Sequence, residues 1–147
     1  MKTTVDARRI YQDSLIQGAT PIELVILLYD SAIHDLQGAL AAMHSGDIPT
    51  RTANVSHAFM VLQQLQGTLD FERGGSAARQ FEHFYNLVRA KVLEAQMRGS
   101  QDLMQEQVRY FTEVRDCWVQ AKRLLETEAR PAAAVAGAQG STSQWSA

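Results

Sequence analysis

Apolar side chains recur along four stretches of this chain at intervals of three and four, the period of one helix face. No stretch alternates apolar and polar residues as a half-buried strand does. The first stretch opens with every helix-start signal. Thr20 stands at the N-cap position, Pro21 at the first helical position and Glu23 three residues after the cap. This is a capping box, in which the Thr20 hydroxyl accepts from the Glu23 amide and the Glu23 carboxylate reaches back. Val25, Leu28, Tyr29, Ala32, Leu36, Leu40 and Met43 then form one core stripe at about 100° per residue. The helix is greasier than one stripe requires, since nine of the 13 residues from Pro21 to Ile33 are apolar or aromatic. Ile22, Ile26 and Ile33 fall beside the stripe and Leu27 nearly opposite it.

Ser45-Gly46-Asp47-Ile48-Pro49 ends this helix and starts the next, with Asp47 as cap and Pro49 in the first turn. The second helix carries Val55, Ala58, Leu62, Leu65 and Leu69, a heptad seam widened by Phe59 and Val61. Asp70 to Gly75 breaks the chain at paired glycines, and a third helix is predicted from about Ser76. Phe81, Phe84, Tyr85, Val88, Val92 and Ala95 line one side of it. Gly99 and Ser100 make a short connection to a fourth helix bearing Met104, Val108, Phe111, Val114, Trp118, Ala121 and Leu125. The pattern therefore predicts an all-α fold, an antiparallel four-helix bundle over residues 18–130. Residues 131–147 lack charge and are dominated by Ala, Gly, Ser, Thr and Gln, the composition of a disordered tail. Residues 1–17 include Val5, Ile10, Tyr11, Leu15 and Ile16. Too short to be stable alone as a helix, they are expected to dock on the bundle, with the surplus apolar face of the first helix as the dock.

Composition narrows the function classes. With 14 Lys and Arg against 16 Asp and Glu, no like-charge block appears. Arg109, Arg115, Lys122 and Arg123 alternate with Glu113, Asp116 and Glu126 and read as a solvated helix face, so no nucleic-acid partner is expected. A single cysteine, Cys117, excludes an intrachain disulfide, and beside Trp118 it reads as a buried inert thiol. The first residues lack the apolar core of a secretory signal. Glu23, Asp30 and Asp35 interrupt the most apolar segment, which falls short of the ~18 residues a membrane span needs. A cytosolic chain with no membrane partner is the expectation.

A four-helix bundle invites the test for a di-metal carboxylate centre, built from Glu-x-x-His on two helices. No Glu or Asp here has His three residues later. Asp30 and His34 form a lone pair one turn apart, and His44, His57 and His83 are isolated. No phosphate-binding loop, dinucleotide fingerprint or nucleophile elbow occurs. The expectation is no enzyme, no catalytic residue, no metal and no cofactor. The surplus apolar face leaves three readings open: a groove for another protein, a homo-oligomer interface of a structural bundle, or a helix meeting two neighbours within one core.

The block Tyr11, Ala19-Thr20-Pro21-x-Glu23-Leu24, Leu28-Tyr29-Asp30 and Ala32-Ile33 resembles the FliS family of flagellar export chaperones. Gly46-Asp47, Leu65-x-x-x-Leu69-Asp70, Gly74-Gly75, Phe84-Tyr85 and Trp118 follow in matching order, so that the likeness spans roughly residues 5–125. Ser31 stands where the family usually has Gly, Phe81 and Phe84 where Leu is common, and Gln96 where Asn is frequent. The resemblance implies a cytosolic chaperone that captures the disordered C-terminal segment of flagellin, prevents premature polymerisation and presents the client to the flagellar export gate. It also implies an N-terminal segment that lies in the client groove and is displaced. Ile10, Tyr11, Ile22, Ile26, Leu27, Tyr29, Phe59 and Tyr85 are the candidate groove residues, on a bundle expected to be a monomer or homodimer.

Overall fold

The computed structural model describes residues 18–145, with side chains as far as Glu128. Ile10, Tyr11 and the rest of the expected docking segment 1–17 lie outside the described residues. Helix α1 runs Pro21–Ser45 behind an extended Thr20, whose hydroxyl accepts from the Glu23 amide at 3.3 Å. The return half of the cap differs from expectation. The Glu23 carboxylate accepts from the Thr20 hydroxyl at 2.9 Å. Gly46, at φ 73°, ends the helix in the left-handed conformation, and the Asp47 amide donates to the Ala42 carbonyl at 2.8 Å. Helix α2, Ile48–Gly67, starts at Asp47, which accepts from the Thr50 amide and hydroxyl. Those bonds hold the Asp47 carboxyl below its ordinary range.

Helix α3 runs Phe71–Arg98, one turn earlier than the predicted start at Ser76. Asp70 accepts from the Glu72 and Arg73 amides and so caps a first turn, which Gly75 then kinks at φ 52° and ψ −124°. Gly99 closes α3 in the left-handed conformation, and Ser100 accepts from the Leu103 amide to open α4, Gln101–Trp145. The backbone of α4 is helical to Trp145. Five alanines between residues 132 and 138 favour that geometry locally, alanine having the highest helix propensity.

The helices pack in a ring, α1 against α2 and α4, α3 against α2 and α4, with α1 and α3 facing each other across the diagonal. Cross-helix partners run in opposite directions, as antiparallel neighbours require. Asp35 meets His57 while Asn54 lies against Gly38, and Asp30 meets Arg115 while His44 lies near Gln101. Leu28, Leu36, Leu62 and Leu65 are fully buried in the core. Each such side chain stabilises the fold by roughly 1.5–3 kcal/mol relative to exposure.

The predicted stripes hold with local exceptions. Leu24 is buried although it lies off the assigned stripe, while Leu40 and Met43 are only half-buried toward the end of α1. Leu125 was assigned to the α4 seam but is 54% exposed. Among the described residues its neighbour α1 begins only at Pro21, so α4 outruns that helix there. Cys117 is exposed rather than buried, because it sits a full 100° around the helix from the seam residue Trp118.

Candidate partner-binding surface

Six aromatic rings from three helices fill the middle of the bundle and set where α1 can expose anything. Tyr29 stacks on Phe111 at 4.6 Å between centroids, Phe84 on Phe111 at 5.6 Å and Phe81 on Trp118 at 5.2 Å. The Tyr29 and Tyr85 hydroxyls meet across the diagonal at 2.8 Å. Burial pushes the Tyr29 phenol up to about 12 and raises Tyr85 further, the Tyr29 ring adding to the second shift. Both are sealed in the core. Tyr29 and Tyr85, two of the candidate groove residues, thus sit on an apolar face at a depth that offers no surface in the closed bundle.

Around this core, the start of α1 and the late part of α4 enclose a cleft of about 430 Å³. Pro21, Ile22 and Glu23 line it from α1, and Lys122, Leu125 and Glu126 from α4. Ile26 follows Ile22 by one turn and is half-buried, and Leu27 is 39% exposed. Arg115 fastens α4 to α1 through Asp30 at 2.7 Å, and that carboxylate raises the guanidinium's affinity for its proton. Ile22 and Ile26 thus lie one turn apart at the start of α1, while Leu27 is about 100° further around it. Phe59 does not join them. It is half-buried on α2, packed on the core beside α3, with the Arg89 guanidinium 6.0 Å from its ring centroid. Arg89 also donates to Gln66, which in turn donates to Asn86, so the α2–α3 side is tied by polar contacts.

A second cleft, about 270 Å³, lies between α3 and α4, where Phe84, Leu87, Leu103 and Tyr110 meet Lys91 and Glu106. Leu87 and Tyr110 were passed over in the sequence because neither falls on a core stripe. Two large exposed side chains off their helix stripes were the available signal. Leu124, next to Leu125, is likewise exposed. Among the described residues, no group of three or more His, Cys, Asp or Glu side chains is placed to hold a metal ion, and no helix is long and apolar enough to cross a membrane.

An all-helical bundle with apolar clefts between its helices is the class that the fold and surface define. The chain belongs to the FliS family: the profile described as "Flagellar protein FliS" matches residues 4–124, which include the first cleft's α1 wall and most of α4 before Leu125. The chain is similar to the flagellar secretion chaperone FliS of Vibrio cholerae serotype O1, at 24% identity over 113 residues, covering 77% of this chain and 83% of that protein. It is also similar to the flagellar secretion chaperone FliS of Bacillus subtilis (strain 168), at 26% identity over 113 residues, with 76% and 82% covered. A third relative is the flagellar secretion chaperone FliSB of Pseudomonas aeruginosa, 26% identical over 118 residues, with 80% and 94% covered.

Proposed function

We propose that this protein is a cytosolic flagellar secretion chaperone that binds the disordered C-terminal segment of flagellin. It keeps that segment from polymerising and helps deliver it to the flagellar type III export gate. The observation that carries this reading is the family match across residues 4–124. The apolar cleft between α1 and α4 supports it, being suited to an amphipathic client segment that folds as it docks. Such a client loses conformational entropy on binding, and a long contact path over several apolar positions offsets that loss. Ile22, Ile26 and Leu27 are the proposed contacts on α1. Phe59 is proposed as a separate contact on the α2–α3 side. Ile10 and Tyr11 are proposed to cover the groove until the client displaces them.

The test is flagellin assembly itself. Purified flagellin monomers seeded to polymerise are expected to stop elongating when this protein is added at one molecule per flagellin. Undiminished elongation in the presence of an excess of the folded protein would overturn the proposal.

A further inference from the structure

Asp35 on α1 and His57 on α2 are 6% and 8% exposed and bond to each other through Oδ2 and Nδ1. The second ring nitrogen, Nε2, is shut off from solvent and meets no partner among the described residues. The two helices are close at this point. A Cβ on Gly38, three residues past Asp35, would lie 2.8 Å from Asn54 Nδ2. Arg51 and His57 are the only ionisable side chains in α2, and Arg51 lies six residues away from His57. From α4, Arg115 faces α1 but is held by Asp30, and Asp102 lines a cleft with His44 at the far end of the helix pair. Helix α3 lies across the diagonal from α1 but packs against α2, where its Arg89 donates to Gln66, nine residues along α2 from His57. On α1 itself, His34 adjoins Asp35 and has only a weak influence on it.

We propose that Asp35 and His57 form a proton-dependent latch across the α1–α2 seam, tightest when the pair holds one proton between them. With one proton the pair carries no net charge. With none, a buried carboxylate keeps a single hydrogen bond and no neighbouring cation, and with two the site buries a net positive charge. Because Nε2 meets no group that shares charge, the pair has to balance itself. Burial raises the Asp35 carboxyl above its ordinary range, and the His57 hydrogen bond offsets only part of that. A folded-state value above the unfolded one means that the folded protein holds the proton longer. For the Asp35 proton taken alone, the stabilisation is therefore lost as pH rises through the folded value, while uptake of a second proton by the pair weakens the latch on the acid side.

The full-length chain tests this without alteration. The side-chain carboxyl carbon of Asp35 is followed by NMR from about pH 3 to pH 9, a window spanning ordinary Asp and His titrations. Amide exchange at Ala32–Ala39 and Val55–Leu62 is followed alongside, after correction for intrinsic exchange. The Asp35 signal is expected to titrate above the range of a free aspartate. Seam protection is expected to fall through the same midpoint, by up to about tenfold per unit separating the folded and unfolded values. Asp35→Asn, which preserves an acceptor for Nδ1–H, is expected to remove that pH dependence. An Asp35 midpoint at or below the free range overturns the latch, as does an identical pH profile in Asp35→Asn. Should Asp35→Asn fail to fold, the Asp35 resonance of the unaltered chain decides the matter.

Discussion

The hydroxyls of Tyr29 and Tyr85 bond to each other in a cage of aromatic rings, with the Trp118 indole close to Tyr29 as well. Tyr29→Phe leaves the Tyr85 hydroxyl buried without a partner, at an expected loss of about 1–3 kcal/mol. Replacing both by Phe removes donor and acceptor together, so the double variant should lose less than the sum of the singles. Urea melts arranged as a double-mutant cycle measure that difference, and strict additivity would mean that the hydroxyls do not couple. The same pair dictates alkaline behaviour. Both folded-state values lie above the ordinary 10.0, with Tyr29 at about 12, so the folded bundle keeps protons that the unfolded chain sheds. Stability is therefore expected to fall as pH rises from about 10 through 12, and the Tyr29→Phe, Tyr85→Phe protein should show a flatter profile of urea midpoint against pH. The position of these tyrosines on an apolar face was legible in the sequence. Their depth was not, because periodicity reports the direction of a side chain and leaves open how much structure lies over it.

The four helix starts and the ends of the first three helices rest on local devices, and these are separable in melts. Thr20→Ala should destabilise the protein by about 1 kcal/mol, since the Glu23 amide loses its acceptor, whereas Pro21→Ala should be nearly silent. Gly75→Ala should lose about 1–3 kcal/mol, because φ 52° with ψ −124° strains any residue with a Cβ. A Gly75→Ala melt equal to that of the unaltered chain would mean that the kink relaxes into a continuous helix. Thr20, Asp47 and Gly99 were readable in advance because cap chemistry is local. The start of α3 was misplaced because Asp70 caps one turn ahead of the glycine kink, and the glycines masked it. Leu125 was assigned to a seam because the pattern carries no information on where the neighbouring helix stops. Asp35 lies between Ala32 and Ala39 on the inward side of α1, and that phase was a missed signal for its pairing with His57.

At the level of the assembled bundle, a folded core is distinct from a lightly covered side of α1. Ile26→Glu or Leu27→Glu places a charge where free protein has water nearby and the proposed client complex has apolar contact. Either change should weaken binding of a flagellin C-terminal peptide by more than about tenfold, roughly 1.4 kcal/mol, with little shift in melting midpoint. Leu65→Glu, in the fully buried seam, should instead unfold the protein. Deleting residues 1–17 should leave the bundle folded and strengthen or hasten peptide binding; loss of the helices on truncation would make that segment part of the core. The scattered placement of the six candidate residues that the structure describes shows why the fold was easier to read than the surface. Four helices follow from repeated local signals, whereas a binding surface depends on how helix ends, lengths and crossings leave side chains uncovered. The most direct measurement is calorimetric titration of the full-length chain with a peptide of the flagellin C-terminal segment. Saturable binding of one peptide per bundle, with a negative heat-capacity change from apolar burial, is predicted. Absence of heat and of any complex at about 100 μM peptide, with the bundle demonstrably folded, would contradict the account.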